Sequence, residues 1–277
     1  VAARGHALAV RVPAGDGGLV SAPRRFLALG DSFTEGVGDL DPARPNGVRG
    51  WADRVAEVLG AEGWEYANLA IRGKKLPQVL AEQIEPALAL QPDVVTLYAG
   101  ANDLLRPRVD LSTLSRGYLD AVRRLTDSGA EVLLFTGFDL SVSPVFSRVV
   151  GRVALYNERV REIADVTGAR VADYWRWREF GQPGYWAEDR MHMNERGHAL
   201  MARRILDLLG RPQPGADPEP LPEPVLSRRD RLAENSRWAV QYAGPWVQRR
   251  LRGTSSGDTL QARYPHWVRL GEDGRPA

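Results

Sequence analysis

The sequence contains no cysteine, and that one absence removes disulfides, thiolate nucleophiles and thiolate metal ligands together. Lysine occurs only at Lys74 and Lys75, so nearly all the positive charge is arginine, a bias that fits a GC-rich genome better than a function. Histidine is scarce as well: His6, His192, His198 and His266 are the whole supply. No window is apolar enough to span a bilayer, so no stable membrane insertion is expected. A secretory signal is poorly formed, because Arg11 interrupts the short apolar run from Ala7 to Val12 and charges and glycines follow it. The lack of cysteine fits a reducing compartment, and a cytoplasmic location is the expectation; secretion stays open because the chain begins at Val1. A net charge of only +2, despite a pI near 9.0, gives no strong argument for a nucleic-acid partner.

What is present reads as a globular chain of 277 residues, long enough for one sizeable domain with an extension. Short apolar runs alternate with helical patterns. Strands are expected at Phe26 to Leu29, Trp64 to Leu69, Asp93 to Tyr98, Glu131 to Thr136 and Arg170 to Ala172. Helices are expected from about Trp51 to Glu62, Leu76 to Leu90, Leu114 to Ser128, Val149 to Thr167 and from Asn194 to Leu209. The order implies an α/β fold, with a parallel five-stranded sheet covered on both faces.

Residues 1–24 read as a loose N-terminal arm, 25–211 as the main domain, 212–224 as a stiff Pro-rich and acidic linker, and 225–277 as a C-terminal helical extension. Leu226 to Leu251 looks helical until Pro245. Trp238, Tyr242 and Trp246 fall on one face there, which suggests a docking stripe against the main domain. The arginines on either side of that stripe read as a solvated face in preference to a surface for nucleic acid or anionic lipid.

The loops that leave the strands at their carboxyl ends line one rim of such a sheet. Ser32, Gly73 and Asn102 directly follow the first, second and third strands, and Asp189-Arg190-Met191-His192 precedes the last helix. These residue types suit acyl transfer. A serine hydroxyl needs a base to take its proton, neutral His192 can accept and return one, and Asp189, three residues away, can hold the ring in the right tautomer. The backbone N–H groups of Ser32 and Gly73 and the side-chain amide of Asn102 could stabilise a developing oxyanion. Asp173, after the fifth strand, is the chief rival to Asp189. Asp31 and Asp103 read as carboxylates that fix their loops, and His198 as a structural hydrogen-bonding residue on the final helix.

The run Gly30-Asp31-Ser32-Phe33, the isolated Gly73, Gly100-Ala101-Asn102-Asp103 and Asp189-Arg190-Met191-His192 resemble, in this order, the signature blocks of the SGNH/GDSL hydrolases. The resemblance covers about Arg25 to Leu209. It implies a three-layer α/β/α, flavodoxin-like fold and a serine esterase or lipase that needs no metal or cofactor and acts on a small-molecule ester. It assigns Ser32 as nucleophile, Asp189 and His192 as its partners, and Ser32, Gly73 and Asn102 as the oxyanion hole. Met193 departs from the pattern, since many members have proline after the histidine.

Other readings remain open on the sequence. A metal-dependent phosphoesterase built on Asp31, Asp103, Asp189 and His192 lacks paired histidine or cysteine spacings. A non-catalytic module that binds an acylated ligand is a third possibility. The Gly30 to Gly38 loop matches neither a phosphate-binding loop nor the Gly-x-Ser-x-Gly elbow. The rings from Tyr174 to Trp186, and the segment Phe138 to Val150, belong either to the core or to the wall of a substrate pocket. Acyl length, leaving group and oligomeric state are not legible.

Overall fold

The structure, a computed structural model, describes residues 22–106, 108–139, 147–271 and 274–275. His6 and nearly all of the N-terminal arm lie outside the described residues, as does the middle of the segment Phe138 to Val150.

Five strands form a parallel sheet: β1 (Arg25–Gly30), β2 (Glu65–Asn68), β3 (Val94–Tyr98), β4 (Glu131–Phe135) and β5 (Arg170–Ala172). β1 pairs with β2 and β3, placing Phe26 beside Tyr66 on one side and Val94 on the other. The strands are apolar at nearly every position because both faces are covered. Phe26 and Ala28 of β1, with Leu133 and Phe135 of β4, join one core cluster, whereas Leu27, Leu29, Val132 and Leu134 point into the other. Helices α2 (Gly50–Ala61) and α7 (Glu195–Leu208) cover the first face. Helices α3 (Leu76–Leu90), α5 (Leu111–Asp127) and α6 (Val150–Thr167) cover the second. Two single-turn helices, α1 (Ser32–Glu35) and α4 (Ala101–Leu104), follow β1 and β3 directly. The fold is the expected three-layer α/β/α arrangement.

The helix ends show local causes. The side chain of Asn194 accepts hydrogen bonds from the N–H groups of Arg196 and Gly197 and so starts α7 where the pattern placed it. The helix expected near Leu114 begins three residues earlier, because Asp110 caps it through the N–H groups of Ser112 and Thr113.

The strand count needs a correction. A sixth strand, Tyr264–Val268, joins the edge of the sheet antiparallel to β2, giving the order β5-β4-β3-β1-β2-β6 with this strand as β6. It is short, without a clear alternation of buried and exposed residues, and its partner lies some two hundred residues upstream, so local periodicity could not reveal it. The chain just before it is fastened from inside. Arg263, buried to 4% exposure, donates to both carboxylate oxygens of Asp53 at 3.0 and 2.6 Å and to the backbone carbonyls of Glu35, Pro45, Val48 and Arg49.

The helical stretch of the C-terminal segment also differs from expectation at its end. Helices α8 (Arg228–Trp238) and α9 (Gly244–Leu251) are joined by a π-helical turn from Ala239 to Ala243. Pro245 does not stop the helix: it stands at the second position of α9, directly after the π-helical turn in which Gly244 N–H reaches back to the carbonyl of Ala239. No residue of α8 is buried. The indole of Trp238 and the phenol of Tyr242 in the π-helical turn do face the main body, meeting the loop around Asp189 and a cavity beside it.

Candidate active site

β1 lies between β2 and β3, so the chain leaves it at the point where the strand order reverses and a crevice opens. Gly30 ends the strand with φ +142°, and a Cβ there would stand 2.2 Å from the carbonyl oxygen of Tyr98. Only glycine lets β1 and β3 close at this level. The buried side-chain amide of Gln83 exchanges two hydrogen bonds with the Gly30 backbone, at 2.8 and 2.9 Å, and fixes the turn. Asp31 then accepts a hydrogen bond from the N–H of Phe33, and Ser32 stands at the first position of α1.

The Ser32 hydroxyl lies 3.0 Å from Nε2 of His192, and Nδ1 of the same ring lies 2.6 Å from Oδ2 of Asp189. The other oxygen of Asp189 accepts from the N–H groups of Met191 and His192, so one carboxylate holds both the ring and its loop. Burial alone would raise the Asp189 carboxyl, but the His192 ring and those two N–H groups outweigh it, and its pKa ends below the ordinary value. An ionised Asp189 can only accept, which places the proton on Nδ1 and leaves Nε2 to accept from the serine hydroxyl. The loop is pinned at its base by hydrogen bonding of Ala187 N–H to the His192 carbonyl and by a bridge between Trp186 and Met193. The two backbone bonds of that bridge run from Ala187 N–H to the His192 carbonyl and from Asn194 N–H to the Tyr185 carbonyl, so the residue between them, Met193, contributes a buried side chain to the core.

The other expected positions divide. Asn102 lies on the rim with Ser32, its amide donating to Oδ2 of Asp31 at 3.2 Å and to the carbonyl of Lys74 at 3.1 Å. Gly73 belongs to the neighbouring loop and is not among the residues lining the cavity; its φ is +79°, and Ser255 packs where its Cβ would be. Asp173 is engaged with Thr136 and Arg161 and is not joined to His192. His198 is buried, accepting from Trp51 N–H and donating to the carbonyl of Val37, and burial pushes its pKa down to about 4. Asp103 accepts from Leu76 N–H at the start of α3. Burial lifts the Asp31 carboxyl to about 7 against the opposing bond from Phe33 and the nearby His192, with Asp103 adding to the rise. Among the described residues, no group of three or more His, Cys, Asp or Glu side chains is arranged to hold a metal ion.

Two contributors escaped sequence reasoning. Glu35, fully buried, accepts from the N–H of Arg72 at 2.6 Å and pairs with its guanidinium, which fixes the loop that carries Gly73. The second is the C-terminal segment itself. A cavity of about 1150 Å³ opens beside Ser32 and His192, lined on one side by Phe33, Phe138, Tyr174 and Trp186 and on the other by Leu221, Trp238, Tyr242 and Trp246. The aromatic run from Tyr174 to Trp186 therefore splits: Phe180 and Tyr185 are core, Tyr174 belongs to the core and also reaches the cavity, and Trp186 forms wall. Trp238 donates from its indole to the carbonyl of Asp189 at 2.9 Å, Tyr242 donates to Glu188, and Arg190 reaches Asn235 and Glu234.

A three-layer sheet with a hydroxyl, an imidazole and a carboxylate in line at its switch point defines the class of SGNH-type hydrolases. The sequence profile of the GDSL-like Lipase/Acylhydrolase family matches residues 28–200, and the chain belongs to that family of ester-hydrolysing enzymes. Solved structures agree in fold. LAE5, an alpha/beta hydrolase from the metagenome of Lake Arreo, Spain, superposes with a TM-score of 0.59 at 20% identity, over 70% of this chain and 98% of its own. A catalytic mutant of Axe2, an acetylxylan esterase from Geobacillus stearothermophilus, gives 0.58 at 23% identity, over 68% and 94%. The lipase/acylhydrolase from Enterococcus faecalis gives 0.55 at 21%, over 70% and 99%. No curated protein matches the chain.

Proposed function

We propose that the chain is a serine esterase that cleaves carboxylic esters, whether acyl, acetyl or thioester, through an acyl-enzyme. The observation that carries this reading is the line Ser32 Oγ, His192 Nε2, His192 Nδ1, Asp189 Oδ2, with spacings of 3.0 and 2.6 Å. Ser32 Oγ attacks the carbonyl carbon while its proton passes to Nε2 of His192. The imidazolium, supported by Asp189, returns that proton to the departing alcohol or thiol. A water molecule then repeats the sequence on the acyl-enzyme and frees the acid.

The oxyanion forms beside the N–H of Ser32, with the N–H of Gly73 and the amide of Asn102 as further donors. One Asn102 N–H exchanges its bond to Asp31 or Lys74 for the oxyanion. Each such donor lowers the barrier by roughly 3 to 4 kcal/mol. A cavity walled by aromatic rings and polar side chains suits an ester with a sizeable acyl or alcohol portion better than acetate alone. Membership of an ester-hydrolase family supports the small-molecule substrate.

Wild-type protein should label with a fluorophosphonate probe, and Ser32→Ala should not. Asp189→Asn should keep the fold and lose about 10⁴-fold in kcat on a p-nitrophenyl ester, because the amide oxygen stays with the N–H groups of Met191 and His192 and the NH2 group, facing Nδ1, can only donate and so forces the wrong tautomer of His192. Equal labelling of wild type and Ser32→Ala would remove the serine from the mechanism.

A further inference from the structure

The helical rod of α8, the π turn and α9 carries more than a cavity wall. Between Ser227 and Gly253 the sequence has seven arginines and two acids, Asp230 and Glu234, a local charge of +5 in a chain whose total is +2. Both acids are already engaged, Asp230 with Ser227 and Glu234 with Arg190. Among the described residues, Arg228, Arg229, Arg249 and Arg252 have no acidic partner.

The same rod collects exposed apolar surface. Of nine large hydrophobic side chains exposed among the described residues, six fall between Leu221 and Leu251. Four of these, Leu232, Val240, Val247 and Leu251, are on the rod itself, at exposures of 69, 78, 46 and 83%. They recur at helical spacings on the side away from Trp238, Tyr242 and Trp246, which are partly buried toward the cavity. One face of the rod therefore meets the ester site, while the opposite face presents aliphatic side chains flanked by unpaired guanidinium groups.

We propose that this outer face adsorbs to an anionic lipid surface and holds the rod, with the ester site behind it, at the membrane. Aliphatic side chains bounded by arginines are what an interfacial helix buries and what it holds against negative head groups. Charge excludes the obvious rival, a second copy of this chain, because a two-fold contact would set arginine against arginine. A nucleic acid would satisfy the arginines but leave Leu232, Val240 and Leu251 with nothing to bury against. Among the described residues no helix is long and apolar enough to cross a membrane, so the proposal concerns adsorption of this face alone.

The test is sedimentation of the full chain with vesicles of phosphatidylcholine alone or mixed three to one with phosphatidylglycerol. Binding should be at least about tenfold tighter to the anionic vesicles and should weaken in high salt. Two variants divide the contributions: Arg228→Gln/Arg229→Gln/Arg249→Gln/Arg252→Gln and Leu232→Ser/Val240→Ser/Val247→Ser/Leu251→Ser. Each should lose at least about tenfold in vesicle affinity, from roughly 1 kcal/mol per basic residue at an anionic surface and the buried aliphatic area. None of these side chains lines the cavity, so turnover of a small soluble ester and far-UV circular dichroism should be unchanged. No binding to anionic vesicles, equal binding to both compositions, or binding untouched by both variants would overturn the proposal. So would self-association or duplex DNA binding through this face without vesicle binding. The readout does not require turnover, so failure of the esterase reading would show separately.

Discussion

Arg263→Met should destabilise the protein far more than a surface arginine would. The methionine keeps most of the apolar stem and removes a guanidinium that is fully buried with Asp53. Asp53 would retain Arg44 at 2.8 Å and the Tyr66 hydroxyl at 2.9 Å, but would lose two of its donors. Removing one member of a buried pair costs about 3 to 5 kcal/mol. The carbonyls of Glu35, Pro45, Val48 and Arg49 lose a shared donor at the same time, which places the cost toward the upper half of that range, about 4 kcal/mol. For a chain of this size that corresponds to a fall in Tm of about 8 to 16 °C. Arg124→Met is the control, since its pair with Glu85 is 40 and 70% exposed and should move stability by less than about 1 kcal/mol. Thermal unfolding followed by circular dichroism, with urea midpoints as a second measure, compares the two. Equal shifts would mean that Arg263 does not anchor the C-terminal segment, and the account of β6 as an integral strand would lose its basis.

The pH dependence of stability should carry the signature of His198. Its folded pKa is about 4 against an ordinary 6.5, so between those values the unfolded chain binds a proton that the folded one refuses. The stability owed to the neutral ring is complete above about pH 6.5 and is lost as the pH falls toward 4. Wild type should therefore lose about 3 kcal/mol relative to His198→Gln between pH 7 and pH 4, read from paired urea midpoints; a constant difference would show that the ring is not held neutral. Gly73→Ala should cost about 1 to 2 kcal/mol, because the new Cβ meets Ser255 Oγ at 1.9 Å and φ is +79°. Adding Ser255→Gly should recover only the packing part of that loss in a double-mutant cycle; full additivity would show that Ser255 does not press on the Gly73 loop.

Much of this molecule is written locally. The apolar runs of β1, β3 and β4 announce strands buried on both faces, and the bounds of α3 and β5 fall where the pattern places them, at Leu76–Leu90 and Arg170–Ala172. The order of Ser32, Asn102 and the Asp189 to His192 loop was equally legible, because strand ends in a parallel sheet share one rim whatever separates them in the chain. Asp189 stands only three residues from His192 in the sequence, and in the structure the two side chains meet whereas Asp173 is tied to Arg161. What remained hidden depends on contacts between distant segments. β6 finds its partner only once β2 has formed an edge, and Arg263 finds Asp53 only once both helix and strand are in place. Glu35 reads as one more polar residue until burial sets it against Arg72, and the stripe of Trp238, Tyr242 and Trp246 reads as a docking face without showing that Trp238 and Tyr242 meet the loop around Asp189 and that a cavity lies beside them. Periodicity reports which side of an element avoids water; which surface waits on the other side is set by three-dimensional packing alone.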